Sequence, residues 1–147
     1  MDANINSFLN WSQSQLAEAG VLSPRLDSEI ILAHTLNLSR TDLWTQAERV
    51  LSESEIKIVK KNMERRLNRE PVSLIVGHQE FWSLDFVVNE NVLTPRPETE
   101  RVVETALNCL QSPIAKILDL GTGSGALAVA MAKEIPECKV SAIDIDS

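Results

Sequence analysis

Apolar residues recur at three- and four-residue spacing through roughly the first 70 positions, and the pattern then changes. Ile5, Phe8, Leu9 and Leu16 share one face of a predicted helix that Asn4 or Asp2 can cap and Gly20 can stop. Ser23-Pro24 marks a second start, with serine as N-cap and proline at the first helical position. Its inward face reads as Leu26, Ile30, Ile31 and His34. Thr41-Asp42 opens a short piece carrying Leu43 and Trp44. Ser52 and Glu55 have capping-box spacing, in which each side chain serves the other residue's backbone N–H. The helix they open is expected to bury Ile56, Val59, Met63 and Leu67, and Pro71 ends the pattern.

Beyond Val72 the chain reads differently. Phe81-Trp82 and Phe86-Val87-Val88 flank Ser83-Leu84-Asp85, which predicts a short β-hairpin. Thr94-Pro95-Arg96-Pro97 is a stiff loop, because each proline fixes its own φ and restricts the residue before it. Helical spacing resumes from Glu98 to Leu110 through Val102, Val103, Ala106 and Leu107. Lys116–Leu120 then reads as a strand and Ala126–Glu134 as an Ala-rich helix, with Pro136 past its end. Lys139–Ile145 reads as a second strand, so the order is a βαβ unit with two parallel strands.

Composition narrows the function. Fourteen Lys+Arg against 21 Asp+Glu leave a net charge of −7, so no direct nucleic-acid contact is expected. A hydrophobic content of 44% excludes wholesale disorder. The longest apolar runs fall far short of the ~20 residues that span a bilayer, so no membrane partner is expected. Met1 leads into Asp2-Ala3-Asn4 without a basic region, so no secretory signal is expected. Cys109 and Cys138 lack CxxC spacing; they read as small buried hydrophobes in a reduced, cytoplasmic setting, with no metal site. Trp11, Trp44 and Trp82 read as packing residues. Lys57, Lys60, Lys61, Arg65, Arg66 and Arg69 form a basic run, either a solvated helix face or a contact for an acidic partner or RNA.

The strongest chemical signal is Gly121-Thr122-Gly123-Ser124-Gly125, between a predicted strand and a predicted helix. Glycines there permit a sharp turn and a close ligand approach, and the following helix offers free N–H groups. A dinucleotide site expects G-x-G-x-x-G, whereas this loop is G-x-G-x-G. Asp144 ends the second strand, 19 residues after Gly125, where an acidic group can accept from both ribose hydroxyls. The pattern favours S-adenosylmethionine over NAD as cofactor; a tight turn with no ligand is the plain alternative.

These residues carry a resemblance. Asp119 to Gly125 is similar to motif I of class I S-adenosylmethionine-dependent methyltransferases. Upstream, Arg65-Arg66, Glu70-Pro71, Gly77, Glu80-Phe81-Trp82 and Thr94-Pro95-Arg96-Pro97-Glu98-Thr99-Glu100 resemble, in order, the peptide-chain release factor glutamine methyltransferases of the HemK/PrmC family. The resemblance implies an α-helical bundle N-terminal domain that contacts the release factor (1–72), a β-hairpin linker (73–93), and a partial α/β Rossmann-like methyltransferase domain (94–147). It implies methyl transfer from S-adenosylmethionine to the side-chain amide nitrogen of the glutamine in the release factor GGQ motif. Gly121, Thr122, Gly123, Ser124 and Gly125 would cradle the cofactor and Asp144 would hold its ribose. Pro95-Arg96-Pro97-Glu98 would wall the reaction centre.

One departure matters. The family's Asn-Pro-Pro-Tyr motif, which holds the substrate amide, is missing, since no two of the six prolines are adjacent. No catalytic residue is therefore assigned. Only 22 residues follow Gly125, and a two-stranded parallel sheet cannot bury both faces. The expectation is a truncated family member, inactive alone and monomeric if complete. The alternative is a non-catalytic translation-factor-binding module with a vestigial methyltransferase segment.

Overall fold

The computed structural model describes residues 3–110 and 116–145. Contacts divide the chain into two compact units, Met1–Val76 and Gly77–Ser147.

The first unit holds α1 (Ile5–Glu18), α2 (Pro24–Leu36), α3 (Arg40–Thr45), α4 (Glu53–Leu67) and α5 (Val72–Val76). Asn4 caps α1, its side-chain oxygen accepting from Ser7 N–H at 2.9 Å; Asp2, the other candidate cap, lies outside the described residues. Gly20 ends α1 at φ +70°, and the N–H groups of Gly20 and Val21 donate to the carbonyls of Ala17 and Leu16. That is a Schellman stop, which satisfies carbonyls the helix leaves open and tucks Val21 into the core. α2 ends the same way at Asn37, a non-glycine residue at φ +52° that the sequence reading did not single out. The capping box at Ser52 and Glu55 forms, and a second one at Ser39 and Asp42 starts α3 one residue earlier than the sequence suggests. α5 was not expected; Pro71 ends nothing but begins a new turn, accepting from the N–H groups of Leu74 and Ile75.

Ile5, Leu16, Ile31, Leu43, Val59 and Met63 form the centre of this unit's core. Full burial contributes roughly 1.5–3 kcal/mol for each side chain of this size. The inward face of α2 differs from expectation. Asp27, Ser28, Ile31, Leu32 and Leu36 are buried, while Leu26 and His34 are exposed and Ile30 is half-buried. Arginines explain the rotation. Arg66 of α4 reaches Asp27, and Arg25 and Arg40 reach Glu29, so two carboxylates can enter positions that hydropathy would give to leucine.

The second unit begins with a hairpin, β1 (His78–Phe81) against β2 (Leu84–Val87), antiparallel. Its loop is the pair Trp82-Ser83, both at φ +53°, rather than the expected Ser83-Leu84-Asp85. Positive φ at both central residues matches the right-handed twist of paired strands, although asparagine and glycine usually supply it. A 3₁₀ turn, Pro97–Thr99, leads into α6 (Glu100–Cys109). Then follow β3 (Lys116–Leu120), α7 (Ala126–Glu134) and β4 (Lys139–Ile143), two residues shorter than expected. The β3 and β4 strands are parallel, with Ile117 opposite Val140 and Leu120 opposite Ile143. Phe81, Phe86, Val103, Ala126, Ala130 and Met131 form the core, and Ile117 and Val140 pack on it. On the other face Leu118, Leu120 and Ile143 are exposed. Cys109, in the last turn of α6, is also exposed, a correction to the buried reading. Trp44 is half-exposed, whereas Trp11 packs on the first core and Trp82 on the second.

Candidate functional site

The glycine loop follows from its sequence at each step. β3 ends at Leu120, and Gly121, Gly123 and Gly125 all take positive φ, at +73°, +55° and +77°. A side chain would strain the backbone at Gly121, yet a Cβ added there would meet nothing within 4 Å. The glycine is thus required by the turn, and space is left open beside it. Gly121 and Thr122 N–H groups both donate to Ile143 O, at 2.8 and 3.2 Å, which ties the loop to the end of β4. Thr122 Oγ1 donates to Asp119 Oδ2 at 2.7 Å, so the aspartate two residues before the loop braces it from below. Gly125 is the N-cap of α7 and offers no side chain to that helix's first N–H groups.

Asp144 lies just beyond β4, and its Oδ2 accepts from Gly123 N–H at 2.6 Å. Its Oδ1 accepts from Ile145 N–H at 2.7 Å. The parallel register of β3 and β4 is what brings them together, because both strands end at the same edge of the sheet. The structure therefore places Gly121, Thr122, Gly123, Ser124, Gly125 and Asp144 in one neighbourhood.

Two arrangements escaped the sequence reading. Trp82 N–H donates to Glu100 Oε1 and its indole Nε1–H to Glu134 Oε1, both at 2.8 Å. The hairpin loop is thereby fastened to the start of α6 and the end of α7. Glu100 is thus committed to Trp82, and Arg96 makes no ion pair among the described residues. The second arrangement is the set of paired carboxylates in the first unit. Burial pushes the Glu29 carboxyl up, but hydrogen bonds and positive charge from Arg40 and Arg25 outweigh it and hold the group below the ordinary range. Arg65 does the same for Glu70 by hydrogen bonding.

The basic run resolves accordingly. Arg65 is spent on Glu70, Arg66 on Asp27, and Arg69 on the carbonyls of Ala19 and Gly20. Lys57, Lys60 and Lys61 remain exposed on α4.

The order is thus a capped helical unit followed by a strand–glycine loop–helix–strand unit. Residues 7–77 match the PrmC N-terminal domain family, and residues 99–147 match the methyltransferase small domain family. The release factor glutamine methyltransferase of Aliivibrio fischeri is 42% identical over 144 residues, which is 98% of this chain and 51% of that protein. The enzyme of that name from Shewanella oneidensis is 46% identical over 136 residues, 92% of this chain and 47% of its own length. The one from Rhodopirellula baltica is 42% identical over 142 residues, 93% of this chain and 48% of its own length. Over most of its length the chain is similar to release factor glutamine methyltransferases. It spans about half the length of the curated relatives it matches.

Proposed function

We propose that this chain carries the cofactor loop and the partner-binding domain of a protein methyltransferase that acts on peptide chain release factors. The reaction is transfer of a methyl group from S-adenosylmethionine to the amide nitrogen of the GGQ glutamine, in a cytoplasmic setting. The second unit is read as part of a Rossmann-like sheet. The observation that carries this reading is the placement of the Asp144 carboxylate against Gly123 N–H, at the shared end of two parallel strands. Such a pairing gives a nucleoside both the surfaces it needs, a backbone it can approach closely and a carboxylate for its diol.

The residues present fit S-adenosylmethionine. Space beside Gly121 is open, and an acceptor stands one loop away. Gly121 to Gly125 would hold the amino-acid and nucleoside portions, and Asp144 would accept from the ribose hydroxyls. When bound, S-adenosylmethionine would supply a sulfonium-activated methyl group, whose displacement would release the neutral thioether. An amide nitrogen is a weak nucleophile, so orientation and local electrostatics must carry the rate. Asp119 contributes by bracing Thr122 and with it the turn. In the family the substrate amide is held by an Asn-Pro-Pro-Tyr motif, which is not among these 147 residues.

Isothermal titration of the chain with S-adenosylmethionine and, separately, with NAD tests the cofactor. Heat from the first that is lost in Asp144→Ala supports the reading. Tighter binding of NAD, or binding indifferent to Asp144→Ala, would refute it. Binding of a release factor with no affinity for either cofactor would favour a non-catalytic module.

A further inference from the structure

Three large apolar side chains around the start of α2 and in α3 face solvent. Leu22, just before α2, is 101% exposed, Leu26 of α2 43% and Trp44 of α3 52%. They stand around one surface pocket of about 470 Å³ together with Arg25 and Arg40. At its floor the Glu29 side chain, 5% exposed, accepts from Arg25 Nε at 3.0 Å and from Arg40 Nε and Nη2 at 3.1 and 2.5 Å. Both arginines remain largely open to solvent, at 67% and 55%. The two Nη groups of Arg25 and Nη1 of Arg40 make no hydrogen bond among the described residues.

From this we infer that the pocket is where the first unit docks the protein substrate, by gripping a carboxylate that is flanked by apolar side chains. The inference rests on the release-factor reading for the identity of the partner. Its chemistry comes from the pocket. Two cations over one anion leave a local charge of +1 in a chain whose net charge is −7. Glu29 has already fixed both guanidinium planes, so little further side-chain freedom is lost when a second carboxylate arrives. Exposed leucines beside an arginine and a tryptophan have the make-up of a protein contact, where aromatic and arginine anchors dominate.

RNA suits the pocket less well. Arg25 lies 5.2 Å above the Trp44 ring and covers a face that a base would need. The two leucines offer a phosphodiester nothing, and a single surplus charge is a small hold on a polyanion.

The test is the affinity of the 147-residue chain for a full-length bacterial release factor, measured by biolayer interferometry. Leu22→Asp and Trp44→Ala alter exposed side chains, and circular dichroism checks that both variants stay folded. The Lys60→Glu/Lys61→Glu double variant on α4 serves as the comparison surface. Loss of affinity by about tenfold or more in each pocket variant, with little change in the lysine variant, is the expected result. Wild-type binding that both pocket variants retain would overturn the docking site while leaving the release-factor reading intact. No wild-type binding would overturn both. Binding of a single-stranded RNA that Leu22→Asp abolishes would overturn the inference in favour of nucleic acid.

Discussion

Arg66 crosses from α4 to α2 and donates its Nε to Asp27 Oδ2 at 2.7 Å, with side-chain exposures of 18% and 7%. Replacing Arg66 by methionine keeps the aliphatic stem and removes the charge. Among the described residues, Asp27 is then left buried with only the Ser23 hydroxyl as a side-chain partner, which donates to its Oδ1 at 2.8 Å. Breaking a buried pair from one side costs about 3–5 kcal/mol, and the partial solvation of Arg66 argues for the lower end. Arg66 Nη1 also donates to Glu70 O at 3.1 Å, and that loss adds about 1 kcal/mol. The expected loss is therefore about 3–4 kcal/mol, or a fall in Tm of more than about 10 °C for a unit of this size. The Asp27→Leu/Arg66→Met double variant exchanges the pair for apolar contact and is expected to recover most of the loss, to within about 1 kcal/mol of the wild type. Urea unfolding followed by far-ultraviolet circular dichroism, fitted by linear extrapolation, measures these two variants and the Asp27→Leu single variant. A loss under about 1 kcal/mol for Arg66→Met, or a double-variant loss equal to the sum of the singles, would refute the reasoning.

Ser83→Gly removes a side chain from a left-handed position and is expected to raise the stability of the second unit by roughly 0.5–1 kcal/mol; thermal unfolding would show it. Phe81→Ala empties the centre of that unit's core and should cost about 3–5 kcal/mol by the same measurement. Glu29, Glu55 and Glu70 are all held below the ordinary carboxylate range in the folded chain. Their contribution is therefore complete above the unfolded value of about 4.3 and is lost as pH falls through the lower folded values. Tm should drop across that window, and Glu29→Gln should flatten the drop; an unchanged profile would count against the Arg25–Glu29–Arg40 cluster.

Local signals survived translation into structure best. Ser52 with Glu55, Asn4, Gly20 and the whole stretch from Lys116 to Glu134 depend on neighbours within a few residues, and they stand where spacing puts them. The face of α2 was not legible, because its burial is set by Arg66 and Arg40, 39 and 11 positions away from the carboxylates they meet. The Trp82-Ser83 loop was hidden for a similar reason. Neither residue favours positive φ, and the turn is held by Glu100 and Glu134 from two later helices. At the candidate site the glycine loop was readable as a motif. The carboxylate on Gly123 was readable only as a position, since its contact needs the parallel register of β3 and β4.

The three tryptophans give the molecule built-in optical probes. Trp11 and Trp44 lie in the unit ending at Val76, and Trp82 in the unit that follows. Trp82 holds a hydrogen-bonded indole, Trp44 sits beneath a guanidinium, and Trp11 touches Phe8 edge-on at 5.8 Å. Single-tryptophan versions would emit from three distinct surroundings, so fluorescence can follow the melting of each half without any label.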